Sequence, residues 1–284
     1  MANITPTTSA VYVPEIWSSG VKNYMERKMV VENLVDNSLS GLVKAAGDVF
    51  HIPKYAVDAA VTKTAGSALT AAANTHTEST LTVDQHKAVY KIVDNISRIQ
   101  GIPGLFEREV QGMGYALAKA QDDFLVTKLD GGAAANDIDL TSDNTISAAN
   151  LRAAIVTLRG LDISPEDGDV ALLVNPTVYG SLFAIADFSD ASKFGAGNAP
   201  SVTGSYGMIY GIPVFSSSAV SSALTDGTNA GYMFHKSAVS FARQDGPSMA
   251  SAESVSHIGT EVCASVLYGG ATVFDTRIVT FTNP

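Results

Sequence analysis

The chain has 284 residues, 46% hydrophobic and 16% charged, which is enough for a substantial core and for two domains. A net charge of −10, with no basic cluster longer than Arg27-Lys28, excludes a phosphate-neutralising surface and with it tight nucleic-acid binding. The charged share is below the usual quarter for a soluble domain, and Ala, Ser, Thr and Gly fill the gap. Such a surface can lie against other protein, or can simply be soluble.

The first segment reads as an extended arm, Thr5 to Thr8, closed by a helix that Pro14 and Glu15 open. Ile16, Trp17, Val21, Tyr24 and Met25 then recur at three- and four-residue steps. Trp17, the only Trp, is either an ordinary core anchor or a hot spot that docks the arm on a neighbour. A polar, Thr- and Ala-rich stretch without helical period follows, from Gly47 to about Asn95. Val49 and His51 alternate there with Phe50 and Ile52, as in a strand. Leu81 to Val83 and Ala88 to Val93 read as the returning strand of a long hairpin-like arm. With about 20 residues in each limb it would reach roughly 65 Å at ~3.3 Å per residue. Residues 56–73, almost all Ala, Val, Thr, Gly and Ser, cannot bury enough apolar area to fold alone, so this arm needs something to lie on.

The best-determined element is a helix from Leu105 to Asp130, with Phe106, Val110, Met113, Leu117, Ala120 and Phe124 on one stripe. Gly131-Gly132 end it, and Gly112 and Gly114 inside it suggest close packing or a bend. Asp122 and Asp123 diverge on a helix, which predicts one exposed carboxylate and one bonded to a neighbour. Asn136 to Asn144 reads as a solvated loop. It lacks the glycine and closing glutamate of a calcium loop. Ser147 caps a helix with stripe Leu151, Ile155 and Leu158, stopped by Gly160. Asp169 to Val174 is a buried strand, and Asn175-Pro176 an N-cap with proline at the first helical position. The Gly/Ser-rich stretch Gly195 to Gly204 is a loop, without the context of a phosphate loop. Gly207 to Phe215 is a turn between two short strands. The tail is β-rich: Ala238 to Phe241, Val262 to Tyr268, Thr272 to Phe274 and Ile278 to Phe281. The whole reads as mixed α+β.

Recognisable chemistry is missing. The five histidines show no helical metal-site spacing, and there is no Gly-x-Ser-x-Gly elbow. The single Cys263 excludes an intramolecular disulfide framework and reads as a small core residue in an apolar run. No catalytic, cofactor-binding or metal site is expected. No apolar run reaches the ~18–20 residues of a membrane span, and the N-terminus lacks a signal peptide's basic and apolar regions. The expectation is a soluble protein made in the cytoplasm.

This order of segments resembles the major capsid proteins of tailed bacteriophages, with the Hong Kong ninety-seven type of fold. The resemblance runs through Val13-Pro14-Glu15-Ile16-Trp17, Gly47-Asp48-Val49-Phe50-His51-Ile52-Pro53 and the long helix. It continues in Ala171-Leu172-Leu173-Val174-Asn175-Pro176, Gly204 to Val214 and Tyr268 to Asp275. It implies an N-terminal arm (1–30), an extension loop and its base (31–100), and a peripheral domain with a spine helix (101–146). It further implies an axial α/β domain (147–238) and strands returning to the peripheral domain (239–284), the last strand entering the axial domain. The function implied is self-assembly, via pentamers and hexamers, into an icosahedral shell around a double-stranded DNA genome. Such a protein is assembled in the host cytoplasm and resides in the virion.

The residues expected at the assembly interface are Glu15, Trp17, Phe50, Lys54, Tyr55 and Lys63. The expected partners are further copies of the chain, a scaffolding protein, a portal and a decoration protein. Because the arm starts right after Met1, the scaffold is expected as a separate protein. Some relatives crosslink a loop lysine to the next subunit. Lys54 and Lys63 lie in the loop, but no catalytic Glu can be assigned, so no crosslink is expected. Rival readings are an encapsulin-type compartment shell of the same fold and, from another class, a surface-array or adhesion protein.

Overall fold

A computed structural model describes residues 30–43, 49–56, 58, 60–68, 75–100, 105–140, 145–165, 168–185, 207–220 and 229–283. The expected arm helix with Glu15 and Trp17, residues 47–48 and 142–144, and the loop at 195–204 lie outside them. After one helical turn at Val31–Leu34 come α1 (Ser40–Val43), β1 (Val49–Lys54), β2 (Thr77–Thr82), β3 (Gln85–Asp94), α2 (Asn95–Gln100) and α3 (Leu105–Leu129). There follow β4 (Ile138–Asp139), α4 (Ala148–Arg159), β5 (Val170–Val174), α5 (Pro176–Leu182), β6 (Met208–Ile209) and β7 (Ile212–Ser216). The chain ends in β8 (Asn229–His235), β9 (Val239–Ser254), β10 (Gly259–Thr272) and β11 (Ile278–Thr282). The architecture is mixed α and β: a two-stranded ribbon β1-β2, a three-stranded sheet β3-β10-β9 and a six-stranded sheet β4-β11-β8-β5-β7-β6.

β5 shows why the six-stranded sheet is the core. All five of its residues are buried. Val170, Leu172 and Val174 meet Leu151, Ala154 and Leu158 of α4 and Val178 and Leu182 of α5. The intervening Ala171 and Leu173 join a second cluster with Tyr232, Phe234 and α3. A period-2 strand covered on both faces reads as an unbroken apolar run, as this one does. The caps form as the sequence predicts. Ser147 accepts from the Asn150 amide, and the Asn175 side chain from that of Thr177, 2.8 Å away. β6 turns into β7 through Tyr210 and Gly211, with φ of 49° and 80°, the paired positive values of a tight hairpin.

α3 packs on the three-stranded sheet. Met113, Leu117, Leu125, Val126 and Leu129 are buried with Val262, Ala264, Val266 and Tyr268 of β10 and Phe241 of β9. The buried line departs from the predicted stripe in its second half, where Gln121, Leu125 and Leu129 take over and Ala120 and Phe124 are half-buried. The segment at Val30–Val35 causes this, because it covers the neighbouring flank of the helix. Asp122 is buried there and accepts from the Val31 and Val30 amides at 3.3 and 3.4 Å, while Asp123 is exposed. A Cβ at Gly112 or Gly114 would meet nothing within 4 Å, so these glycines serve no close packing.

Four further expectations are corrected. Among the described residues the hairpin ladder is short: Leu81 returns opposite Phe50 as expected, but the ladder runs only from Val49 opposite Thr82 to Lys54 opposite Thr77. β3 pairs with β10 instead, so that Val89 reaches the α3 core, and the ribbon ladder spans only about 20 Å at ~3.3 Å per residue. β9 runs 16 residues, through Gly246 and Pro247, because it is a sheet edge where proline removes no ladder bond. Ile138–Asp139, within the expected solvated loop, adds a parallel edge strand beside β11. Cys263 is only half-buried. It alternates with the buried Val262 and Ala264 and so faces away from α3.

Candidate assembly surfaces

The ribbon divides into an anchored root and an exposed limb. On the inner face of β1, Phe50 and Ile52 pack on the buried cluster of Leu81, Val83 and Ala242, which Leu39, Leu267 and Ala271 also cover. Lys54, the last residue of that face, places its ammonium 5.3 Å from the centroid of the Phe274 ring. On the outer face His51 meets Glu78 at 3.2 Å, with both side chains well exposed. Tyr55, 77% exposed, begins the limb and stands edge-on to His76 at 5.4 Å between centroids. His76 Nδ1 accepts from the Ala56 amide at 3.2 Å, closing the limb's base.

Further out, Val61 is 60% exposed. Thr64 to Ser67 form a turn with Gly66 at φ 85°, the Ser67 amide donating to the Thr64 carbonyl at 3.2 Å. The Lys63 ammonium donates to the carbonyls of Thr64 and Ser67 and fastens this turn. Of the expected interface residues, the structure thus brings Phe50 and Lys54 to the root and puts Tyr55 and Lys63 on the limb.

A second surface was not anticipated. At the far end of the three-stranded sheet, Ile96 and Ile99 of α2 lie three residues apart on one helix face, exposed by 62% and 79%. Val255 and Ile258 of the β9–β10 turn are exposed by 93% and 71%, and the Asn95 amide ties the two pieces by donating to the Ile258 carbonyl at 3.1 Å. Beside the turn, His257 Nδ1 lies 3.1 Å from Ser254 Oγ, 3.0 Å from Ser256 Oγ and 4.0 Å from Glu261 Oε1. Hydrogen bonds from Ser254 and Tyr90 hold the Glu261 carboxyl below its usual range. Desolvation and the same carboxylate push Tyr90 above the usual range for tyrosine. The signal in the sequence was four large aliphatic residues in two short polar stretches, without the period of a buried stripe.

Neither surface is built for chemistry. Among the described residues no group of three His, Cys, Asp or Glu could hold a metal, and no helix is long and apolar enough to cross a membrane. What both offer is exposed apolar area, the form of a subunit that meets other protein.

Comparison with known proteins agrees with this form. The sequence profile of the phage capsid protein family matches residues 77–279, and the chain belongs to that family. No curated protein matches it by sequence. Among solved structures, a chain of Mycobacterium phage Che8 is 24% identical with a TM-score of 0.75, the match covering 95% of this chain and 96% of that one. A chain of the capsid of cyanophage P-SCSP1u is 16% identical at a TM-score of 0.75, covering 100% and 97%. A chain of the mature capsid of bacteriophage PhiM1 is 15% identical at 0.74, covering 95% and 91%. The protein is a phage major capsid protein, a structural component of the virion.

Proposed function

We propose that the chain assembles with copies of itself, through pentamers and hexamers, into a closed icosahedral shell around a double-stranded DNA phage genome. The observation that carries this is the limb beyond Lys54. Tyr55 and Val61 stand exposed on backbone that lies outside any helix or sheet, which is stable when another subunit covers it. In this reading α3 is the spine of a peripheral domain, and the six-stranded sheet with α4 and α5 forms the axial domain. Glu15 and Trp17 dock the N-terminal arm, Phe50 and Lys54 hold the ribbon's root, and Tyr55 and Lys63 lie on the neighbouring subunit.

The role is structural, without catalysis, cofactor or crosslink. The net charge of −10 keeps a packaged polyanion from adhering to the wall. Assembly takes place in the host cytoplasm with a scaffolding protein and a portal, and the finished shell can take a decoration protein.

Negative-stain electron microscopy and light scattering of the full chain, expressed alone and with a scaffolding protein, test the reading. Closed shells, or pentamers and hexamers that convert to shells, are expected. A monomer that never assembles under either condition overturns it. Intact monomer bands from boiled particles are expected, and ladders would show crosslinks.

A further inference from the structure

We infer that Phe274 is the clamp that fixes the direction in which the ribbon leaves the body of the subunit, with Lys54 as the moving jaw. Phe274 follows β10 and precedes the turn into β11, so it stands where the three-stranded sheet hands over to the six-stranded one. Its backbone is pinned: the Val273 and Phe274 amides both donate to the Ala238 carbonyl, at 2.8 and 3.1 Å. Its ring is held by Arg277, whose guanidinium carbon lies 4.1 Å from the centroid while Nη1 donates to Ser237 Oγ at 2.6 Å. Onto this ring comes a second cation, Lys54, at 5.3 Å. Among the described residues no carboxylate forms an ion pair with Lys54 or Arg277.

The division of labour follows from the physics of the two contacts. Phe50 and Ile52 bury the root in a small apolar cluster, and Gly269 lets β2 lie close on β10, but these contacts end before Lys54 and set no direction for the chain beyond it. A cation over an aromatic ring is directional and acts only within about 6 Å of the centroid. Lys54 is the last residue of β1, and Tyr55 and Ala56 beyond it are exposed. A small rotation at Lys54 therefore re-aims Tyr55 and Ala56, which follow it. The contact is also weak, and Arg277 already occupies the ring, so the jaw can open without disturbing the sheets. The clamp's bearing on assembly rests on the capsid-subunit reading above. The clamp itself does not.

Backbone hydrogen exchange on the unassembled full chain tests it. Lys54→Met keeps the side-chain stem and removes the charge, Phe274→Leu keeps apolar bulk and removes the ring, and Lys54→Arg keeps a cation. Amides of β1 and β2 are expected to exchange about two- to fivefold faster in the first two variants, and no faster still in the double variant. Lys54→Arg stays near wild type, and the amides of β5 and β8 are unchanged throughout. Ribbon exchange at the wild-type rate in Lys54→Met, or effects that add in the double variant, would overturn the clamp. If Phe274→Leu also speeds β5 and β8, it has loosened the body, and Lys54→Met, which touches no core cluster, decides. Faster ribbon exchange in a protein whose wild type never forms shells would uphold the clamp and sink the capsid-shell reading separately.

Discussion

The six-stranded and three-stranded sheets are built from similar residues and meet solvent in opposite ways. In the first, β5 is buried at every position and Ala230 to Phe234 of β8 are buried in succession, since helices cover one face and the α3 cluster the other. In the second, β10 alternates buried and half-buried residues, and most of the outer half of β9 is exposed. One sheet is a finished core. The other has one finished face, and the remainder, with the ribbon limb and the Ile96–Ile258 end, is exposed. Burial therefore falls from the six-stranded sheet to the outer half of the three-stranded one.

This contrast is most sharply tested by truncation. Phe234→Ala in β8, fully buried between the sheet and α3, is expected to cost about 3–5 kcal/mol in chemical denaturation. Ile92→Ala on the open face of β3 should stay within about 0.5 kcal/mol. Equal costs would mean that the two sheets do not differ as described. A Cβ on Gly269 in β10 would press on the Thr82 carbonyl oxygen and come within 2.7 Å of Val83 Cα, so Gly269→Ala should cost about 1–3 kcal/mol and free the ribbon root from the sheet.

The link between α3 and the six-stranded sheet comes next. The Tyr232 hydroxyl donates to Asp130 at the end of α3, and Asn229 Nδ2 donates to the same carboxylate oxygen at 2.9 Å. Tyr232→Phe should cost about 1–2 kcal/mol at neutral pH. Burial and the Asp130 carboxylate push the Tyr232 ionisation far above its usual range. Its folded-state value thus exceeds the unfolded one near 10, and the stability it contributes is complete below pH ~10 and falls as pH rises above that. Denaturation midpoints from pH 8 to 11 should show this decline, shallower in Tyr232→Phe. An equal slope in the variant would remove Tyr232 as its source.

The smallest effect on stability and the largest on assembly are expected on the limb. Tyr55→Ala and Val61→Asp should leave the subunit's denaturation curve within about 0.5 kcal/mol of wild type, because both side chains are exposed. Electron microscopy should show shells lost or malformed. Normal shells from both variants would remove these residues from the interface.

The sequence by itself determined the elements whose cause is local. The existence and first half of the α3 stripe, the Ser147 and Asn175 caps, the β5 run and the turn at Tyr210-Gly211 were legible, since periodicity, capping side chains and turn residues act within a few positions. The exposed limb was legible for a related reason: residues 56–73 hold too little apolar area to bury. Only the tertiary structure decided which strand β3 would pair with, that β9 would run on through Pro247 at a sheet edge, and that Cys263 would face away from α3. Strand pairing joins residues about 170 positions apart, as Tyr90 and Cys263 do here, and one strand's pattern is satisfied by any partner of matching alternation. The Lys54–Phe274–Arg277 stack has the same origin, because nothing near Lys54 in the chain marks a ring 220 residues further on. Local chemistry wrote the elements, and long-range packing chose their partners.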